Sequence, residues 1–244
     1  TSGTDMLNNF LNAGDNVSVT VTFSENSPVT GTPQLTLDVG DENQTATYAS
    51  SGSGGTTLVF QYTIQAGDND TNGISIGADV LALNSGTISD PAGNNATLTH
   101  SAVSDNSSYK VDTTPPTVSS VAITSATGIQ NNLLNTGDNV SVTVTFSENS
   151  PVTGTPQLTL AVGEDNHTAD YTSSGSGATT KVFKYTIQAG DNDTNGISIG
   201  ANALALDNGT ISDPAGNNAT LTHSPVSDNS SYMVDTEAPR VDNF

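Results

Sequence analysis

Two short loops carry oxygen-bearing side chains at spacings typical of cation ligands. The segment Gly67–Gly73 reads GDNDTNG, and Gly190–Gly196 repeats it letter for letter. Asp68, Asp70 and Asn72 occupy alternate positions, as at the start of a D-x-[DN]-x-[DN]-G calcium loop. Asp and Asn also favour turns for conformational reasons alone, so this loop by itself leaves both interpretations open. The equivalent residues of the second loop are Asp191, Asp193 and Asn195.

These loops belong to a long internal repeat. Residues 13–112 and 136–235 align at an offset of 123 without insertion or deletion, and they differ at 16 of 100 positions. A repeat of this length suits a whole domain. We therefore predict a first domain at 1–112, a proline-containing linker at 113–117, a second domain at 118–235 and the start of a further linker at 236–244. The VSSVAIT segment that opens the second copy has no counterpart after Thr1, so we expect a truncated first strand and a longer array.

Alternating hydrophobicity predicts β-strands throughout each copy. Val17, Val19, Val21 and Phe23 are separated by Ser and Thr, which places the apolar side chains on one face of a strand. No segment has a sustained helical period. The fold class predicted is all-β, with two tandem Ig-like antiparallel β-sandwich domains in an extended rod. Further strands are predicted at Leu35–Val39, Ala46–Tyr48, Phe60–Ile64, Ile74–Ile76, Leu81–Leu83, Thr87–Ser89, Ala96–Thr99 and Tyr109–Val111.

Strand order in such a sandwich predicts that acidic loops of both domains meet at one junction. Pro115 and Pro116 restrict the linker there and make it a semi-rigid spacer. Crowded carboxylates repel one another by about 1 kcal/mol per pair at 4 Å even in water, and a divalent cation reverses that sign. Ca²⁺ fits best because it accepts many oxygen ligands in loose geometry, whereas Cys is absent and the three His are scattered. The residues expected at the junction are Asp68, Asp70, Asn72, Asp112, Glu148 and Asp213. The sequence leaves open whether the Asp68–Asn72 loop binds Ca²⁺ at this junction or within its own domain.

The composition excludes several classes of function. There are 25 Asp and Glu against 4 Lys and Arg, a net charge of -21. Nucleic acids and anionic membranes bind through cationic side chains, so neither is an expected partner. No apolar run approaches the ~18 residues that cross a bilayer, and without Cys there are no disulfides. High charge with low hydrophobicity is typical of disorder, but strands that bury one face each can still form a thin core.

The combination of FSE, GTPQLTL, GD-x-D-x-x-G-I, SD-x-AGN and VDTTPP resembles the tandem Ig-like, cadherin-like repeats of very large bacterial surface adhesins of the RTX and biofilm-associated kind. The resemblance covers essentially the whole chain. It implies a secreted, cell-surface stalk that calcium stiffens and that projects a distal binding domain for cell adhesion or biofilm formation. The ligands that it implies are Glu25, Asp90 and Asp112 with their copies Glu148, Asp213 and Asp235.

A structural extender is therefore the function that we predict. The chain is expected to be monomeric, with neighbouring repeats as its partners and no membrane insertion. An enzyme is not expected, because no nucleophile, base and orienting group can be assembled from the motifs present. The main alternative is a ligand-binding adhesin module that recognises a glycan or protein through its polar loops. An accessory domain of a secreted enzyme is a third possibility.

Overall fold

The computed structural model describes residues 1–173 and 175–241. The chain forms two compact units, and the boundary between Thr114 and Pro115 lies within the predicted linker. The first unit contains Thr1–Thr114 together with Pro214–Asn217, and the second contains Pro115–Asp213 and the chain from Asn218 onward. The last three residues of the linker predicted at 236–244 lie outside the described residues.

The first unit is built on one large sheet and two small ones. The six-stranded sheet has the order β1-β3-β7-β6-β5-β9, and all of its pairings are antiparallel. A three-stranded sheet has the order β2-β11-β8, and β4 pairs with β10. The strands are β1 (Ser2–Gly3), β2 (Phe10–Leu11), β3 (Asn16–Thr22), β4 (Val29–Thr30), β5 (Gln34–Val39), β6 (Glu42–Gly54), β7 (Thr57–Thr63), β8 (Asn69–Asp70), β9 (Leu81–Ala82), β10 (Thr87–Ile88) and β11 (Lys110–Asp112).

The second unit repeats this arrangement. Its sheets have the orders β12-β14-β18-β17-β16-β20, β13-β22-β19 and β15-β21. The first strand, β12, forms one edge of the large sheet, and its pairing with β14 is interrupted by two register shifts, at Val118/Ser120 and Ile123/Ser125. The strands are β12 (Val118–Thr127), β13 (Leu133–Leu134), β14 (Asn139–Phe146), β15 (Val152–Thr153), β16 (Gln157–Val162), β17 (Asp165–Thr172), β18 (Thr180–Thr186), β19 (Asn192–Asp193), β20 (Leu204–Ala205), β21 (Thr210–Ile211) and β22 (Met233–Asp235).

The core of each unit lies under the inward face of the large sheet. Side chains along β7 and β18 alternate between buried and more exposed positions, and Phe60 and Phe183 are fully buried. This period of two lets a chain that is only 33% hydrophobic fill a core from one face of each strand. The prediction of an all-β fold is confirmed, and the antiparallel sheets are consistent with a β-sandwich. Within the described residues no helix is long and apolar enough to span a bilayer.

Two predicted strands are wrong. Ile74–Ile76 forms no ladder, because successive amides donate to three different segments, at Tyr109, Asp38 and Val103. Ala96–Thr99 is irregular, and Ala96 N donates to Ile88 O without a continuing ladder.

Among the strands of the described residues, one pair in each unit is parallel. β2 runs parallel to β11, and β13 runs parallel to β22. Such pairs need a long connection, and here it is nearly the whole unit.

Candidate metal centre

Three acidic residues stand at the ends of strands or in the loops that follow them. Asp112 is the last residue of β11, where it lies opposite Asn69 of β8. Glu148 follows β14 in the SENS turn, and its carbonyl accepts a hydrogen bond from Ser150 Oγ (2.8 Å). Asp213 follows β21 and begins the DPAGNN turn. Strand ends therefore fix where each carboxylate can project.

The side chains of Asp112, Glu148 and Asp213 come together. Each offers a carboxylate oxygen, and these oxygens all lie within 4.8 Å of one another. Asp112 and Glu148 are half-buried, and Asp213 is only 2% exposed. Within 1–173 and 175–241 this is the one group of three acidic or metal-binding side chains at such separations. The cluster could hold a metal ion.

The chemistry of this cluster favours a hard cation. Three carboxylates supply oxygen ligands alone, the donor type that Ca²⁺ and Mg²⁺ take and that Zn²⁺ rarely uses without His or Cys. At about 4 Å, two like charges repel by about 1 kcal/mol in water and about 4 kcal/mol near a protein surface. A divalent ion among them replaces this repulsion with attraction. The burial of Asp213 makes such compensation more valuable, because a buried charge has lost part of its hydration.

The corresponding acids of the first copy have a different setting. Glu25 and Asp90 line one pocket, but they are not joined by a third acid within the described residues. Asp90 Oδ2 accepts from Asn94 Nδ2 (2.7 Å), and Oδ1 accepts from Asn94 N (2.8 Å). Both bonds lower the pKa of Asp90 below its ordinary value, and the bond from the Asn94 side chain has the larger effect. Asp235, the copy of Asp112, accepts from Glu237 N (3.0 Å) in the same turn that Asp112 forms with Thr114 N (3.0 Å).

The GDNDTNG acids are bonded within their own unit. Asp68 Oδ2 accepts from Tyr62 OH (2.7 Å) and from Gln65 N (2.8 Å), and its Oδ1 accepts from Gln44 Nε2 (3.1 Å). Burial, followed by the bond to Asp68, raises the pKa of the Tyr62 hydroxyl. Asp68 is 9% exposed. Its carboxylate therefore has a structural partner on each oxygen.

Asp70 closes the same loop from inside. Its Oδ1 accepts from Asn72 N (3.2 Å) and Gly73 N (2.7 Å), and its Oδ2 accepts from Gly40 N (3.0 Å). Gly73 has φ of 103°, and a Cβ there would lie 2.0 Å from Asn106 O, so only glycine fits. Asn72 Nδ2 donates to Asp105 Oδ2 (2.6 Å).

The second copy repeats these contacts. Asp191 accepts from Tyr185 OH and Gln188 N, and Asp193 accepts from Asn195 N, Gly196 N and Gly163 N. Neither loop joins the three-acid cluster, so the structure brings together three of the six residues expected at the junction. Metal binding by the GDNDTNG loops stays a prediction.

One residue beside the cluster was missed in the sequence. Asn217 is 8% exposed, and its Nδ2 donates to the backbone carbonyl of Asp112 (2.9 Å). The signal available was the repeated AGNN turn, in which the equivalent residue of the first copy, Asn94, bonds Asp90.

In comparisons with known proteins, no family model and no curated protein matches this chain.

Proposed function

We propose that this chain is a pair of extender repeats from the stalk of a large, secreted bacterial surface adhesin, stiffened by Ca²⁺. The observation that carries the proposal is the convergence of Asp112, Glu148 and Asp213 on one position in a chain of two near-identical units. A spacer is selected for length, so repetition of one module serves it directly, whereas a binding tip is usually singular. In this role the array projects a distal domain for attachment or biofilm formation.

The cluster supports calcium over other ions for two reasons. Its ligands are oxygens, and calcium tolerates irregular sets of six to eight oxygens completed by carbonyls and water. Magnesium needs near-ideal octahedral geometry and gives up its water reluctantly. Calcium in the surrounding medium would also neutralise part of the -21 net charge, two units for each ion bound.

We further propose that the two Ig-like units form an extended rod. Pro115 and Pro116 have restricted φ, and they limit the freedom of the connecting chain. Strands of ~10 residues at ~3.3 Å per residue give a module of roughly 35–40 Å. A stalk of such modules gains reach with every repeat, provided that each connection is stiff.

Calorimetric titration of the full 244-residue chain with Ca²⁺ tests this proposal. We expect at least one site that Asp112→Asn and Asp213→Asn each weaken at least tenfold, since each change removes one charged ligand. Asp165→Asn is the matched control, because Asp165 is an exposed acid outside the cluster and should bind as the unaltered chain does. Binding of Mg²⁺ with equal strength would contradict the choice of calcium.

Small-angle scattering with and without EGTA tests the stalk role. Calcium should narrow the distribution of dimensions and raise the melting temperature, and Asp213→Asn should remove most of both effects. Identical profiles in both media would overturn the proposal of a calcium-stiffened extender. Micromolar binding of a glycan or protein by this chain would instead favour the ligand-binding adhesin module.

A further inference from the structure

His100 and His223 occupy equivalent positions and make the same unusual hydrogen bond. In the first unit, the backbone amide of Val80 donates to His100 Nε2 (3.1 Å). In the second unit, the amide of Ala203 donates to His223 Nε2 (2.9 Å). A ring nitrogen that accepts a bond carries no proton, so this geometry requires a neutral imidazole.

The other ring nitrogen fixes the tautomer. His100 Nδ1 lies 2.9 Å from Ser101 O, and His223 Nδ1 lies 2.8 Å from Ser224 O. Because carbonyl oxygens only accept, the ring proton must be on Nδ1 in both residues. Both imidazoles are therefore fully used in the neutral state, one nitrogen as donor and the other as acceptor.

We propose that His100 and His223 are acid-sensitive latches, one in each unit, that release the segments at Val80 and Ala203 when the imidazole is protonated. Protonation places an N–H on Nε2, directly opposite the amide N–H that it had accepted. The bond is lost and two donors face each other. Histidine is the residue type whose charge most often changes between pH 8 and 5, which sets the conditions of the test.

The backbones of the two histidines are also bonded to the residues that precede Val80 and Ala203. Asp79 N donates to His100 O (3.2 Å), and His100 N donates to Asp79 Oδ1 (2.7 Å). Asp79 has φ of 58°, in the left-handed region that Asp tolerates better than most residues. Asn202 takes the same role in the second unit, with φ of 56° and its Oδ1 accepting from His223 N (2.9 Å).

Loss of the bond to the histidine affects a segment that is joined to the edge of the large sheet. Val80 O accepts from Thr36 N of β5 (3.3 Å), and the next residue, Leu81, begins β9, which covers that edge. Ala203 O accepts from Thr159 N of β16 (3.0 Å), next to β20. Both β9 and β20 are only two residues long, so the ladder alone joins each to the sheet through few hydrogen bonds.

The charged surroundings of the two latches differ. Asp79 is the carboxylate bonded to the His100 backbone, and Asp38 on the adjoining β5 bonds Ser75 Oγ (3.4 Å) instead of the latch. At His223 the equivalents are Asn202 and Ala161, both uncharged. The groove beside His223, lined by Val118–Val121 and Thr222–Val226, contains no Asp, Glu, Lys or Arg among its described residues. What the two histidines share is therefore the hydrogen-bonding geometry of the imidazole ring, and not the charges around it.

Two NMR measurements on the full chain test the proposal. Long-range ¹H–¹⁵N spectra at pH 7.5 should show the Nδ1–H tautomer for both histidines. Amide-exchange protection at Val80 and Ala203, corrected for the intrinsic pH dependence of exchange, should fall about tenfold between pH 7.5 and 5.0, the effect of losing one hydrogen bond. The amides of Ile64 and Ile187, which bond backbone carbonyls in the same units, should change less than twofold.

Variants separate the latch from general acid loosening. His100→Gln and His223→Gln keep an acceptor that does not titrate, so each should abolish the pH response of its own unit and leave that of the other. His167→Gln, at the third histidine, should leave both responses intact. The proposal is overturned by an Nε2–H tautomer at pH 7.5, by protection that does not change with pH, or by glutamine variants that respond like the unaltered chain.

Discussion

The two units share one architecture, but among the fully buried residues that the structure describes they differ in residue type at one pair of positions. Leu58 on β7 is 2% exposed, and its counterpart on β18 is Lys181, which is 3% exposed. The lysine Nζ donates to the carbonyls of Gly177 and Ala178, both at 2.8 Å. The comparison shows that the fold accepts a buried charge where two backbone carbonyls are within reach. Near-identity of sequence therefore does not imply equal stability of the two copies.

The largest expected effect concerns a feature that the copies share. Asp70→Ala and Asp193→Ala each remove the acceptor of three backbone amides, and buried donors without partners are costly. We expect each substitution to destabilise its own unit by about 3–5 kcal/mol. Residue-resolved hydrogen exchange on the full chain measures this, and Asp41→Ala, at an exposed turn, is the control. A cost that differs strongly between the copies would show that the shared loop is not equivalent in them.

An intermediate effect is expected where the copies differ. Lys181→Leu should stabilise the second unit by about 1–2 kcal/mol, and Leu58→Lys should destabilise the first by about 2–4 kcal/mol, because burial removes hydration from the ammonium. Chemical denaturation followed by signals from each unit measures both. Equal and opposite values would contradict the role of the Gly177 and Ala178 carbonyls, which the first unit would have to supply from Gly54 and Gly55.

The same lysine gives the second unit a pH dependence. Burial lowers the pKa of Lys181, so the folded unit binds fewer protons than the unfolded chain at alkaline pH. Its stability should therefore rise as pH increases between the lowered pKa and the ordinary value of about 10.4. Lys181→Leu should flatten this slope. A slope that survives the substitution would assign it to another group.

The smallest effect is expected at the Gln44 and His167 pair. Gln44 Nε2 donates to Asp68 Oδ1 (3.1 Å). In the second unit, His167 Nδ1 lies 2.9 Å from Tyr185 OH, and His167 Nε2 lies 3.5 Å from Asp191 Oδ1. His167→Gln should therefore change the stability of the second unit by less than about 0.5 kcal/mol at pH 7, since the first unit shows that Gln serves there. Thermal melting at pH 7 measures this. A loss above about 1 kcal/mol would mean that the histidine has a packing role with Tyr185, whose ring centroid lies 5.0 Å away.

Much of the fold could be predicted because strand burial follows a local rule. The period of two in NVSVTVTF fixes the inward face wherever the strand pairs, and Val17 and Val140 are indeed fully buried. The parallel partner of β2 could not be predicted, because that pairing joins residues about 100 apart and depends on the whole chain between them.

The candidate site could be predicted only in part, for a related reason. Asp112, Glu148 and Asp213 could be placed from strand order, which is a property of the fold class. The hydrogen bonds of the Asp68 and Asp70 carboxylates depend on which donors face them, such as the Tyr62 hydroxyl and the Gly40 amide. A turn motif does not reveal such donors, so a ligand pattern and a loop held by internal hydrogen bonds look the same in sequence.

The irregular edge strand β12 has a consequence for how two units of nearly identical sequence fold on one chain. Neighbouring modules of almost identical sequence can pair strands with one another by mistake, and a long, regular edge would be the natural place for this to begin. Two register shifts within ten residues interrupt the ladder between β12 and β14, and irregularities of this kind generally increase strand twist. β12 is therefore a poor template for a strand of the other unit, which favours pairing within each unit over exchange between the two.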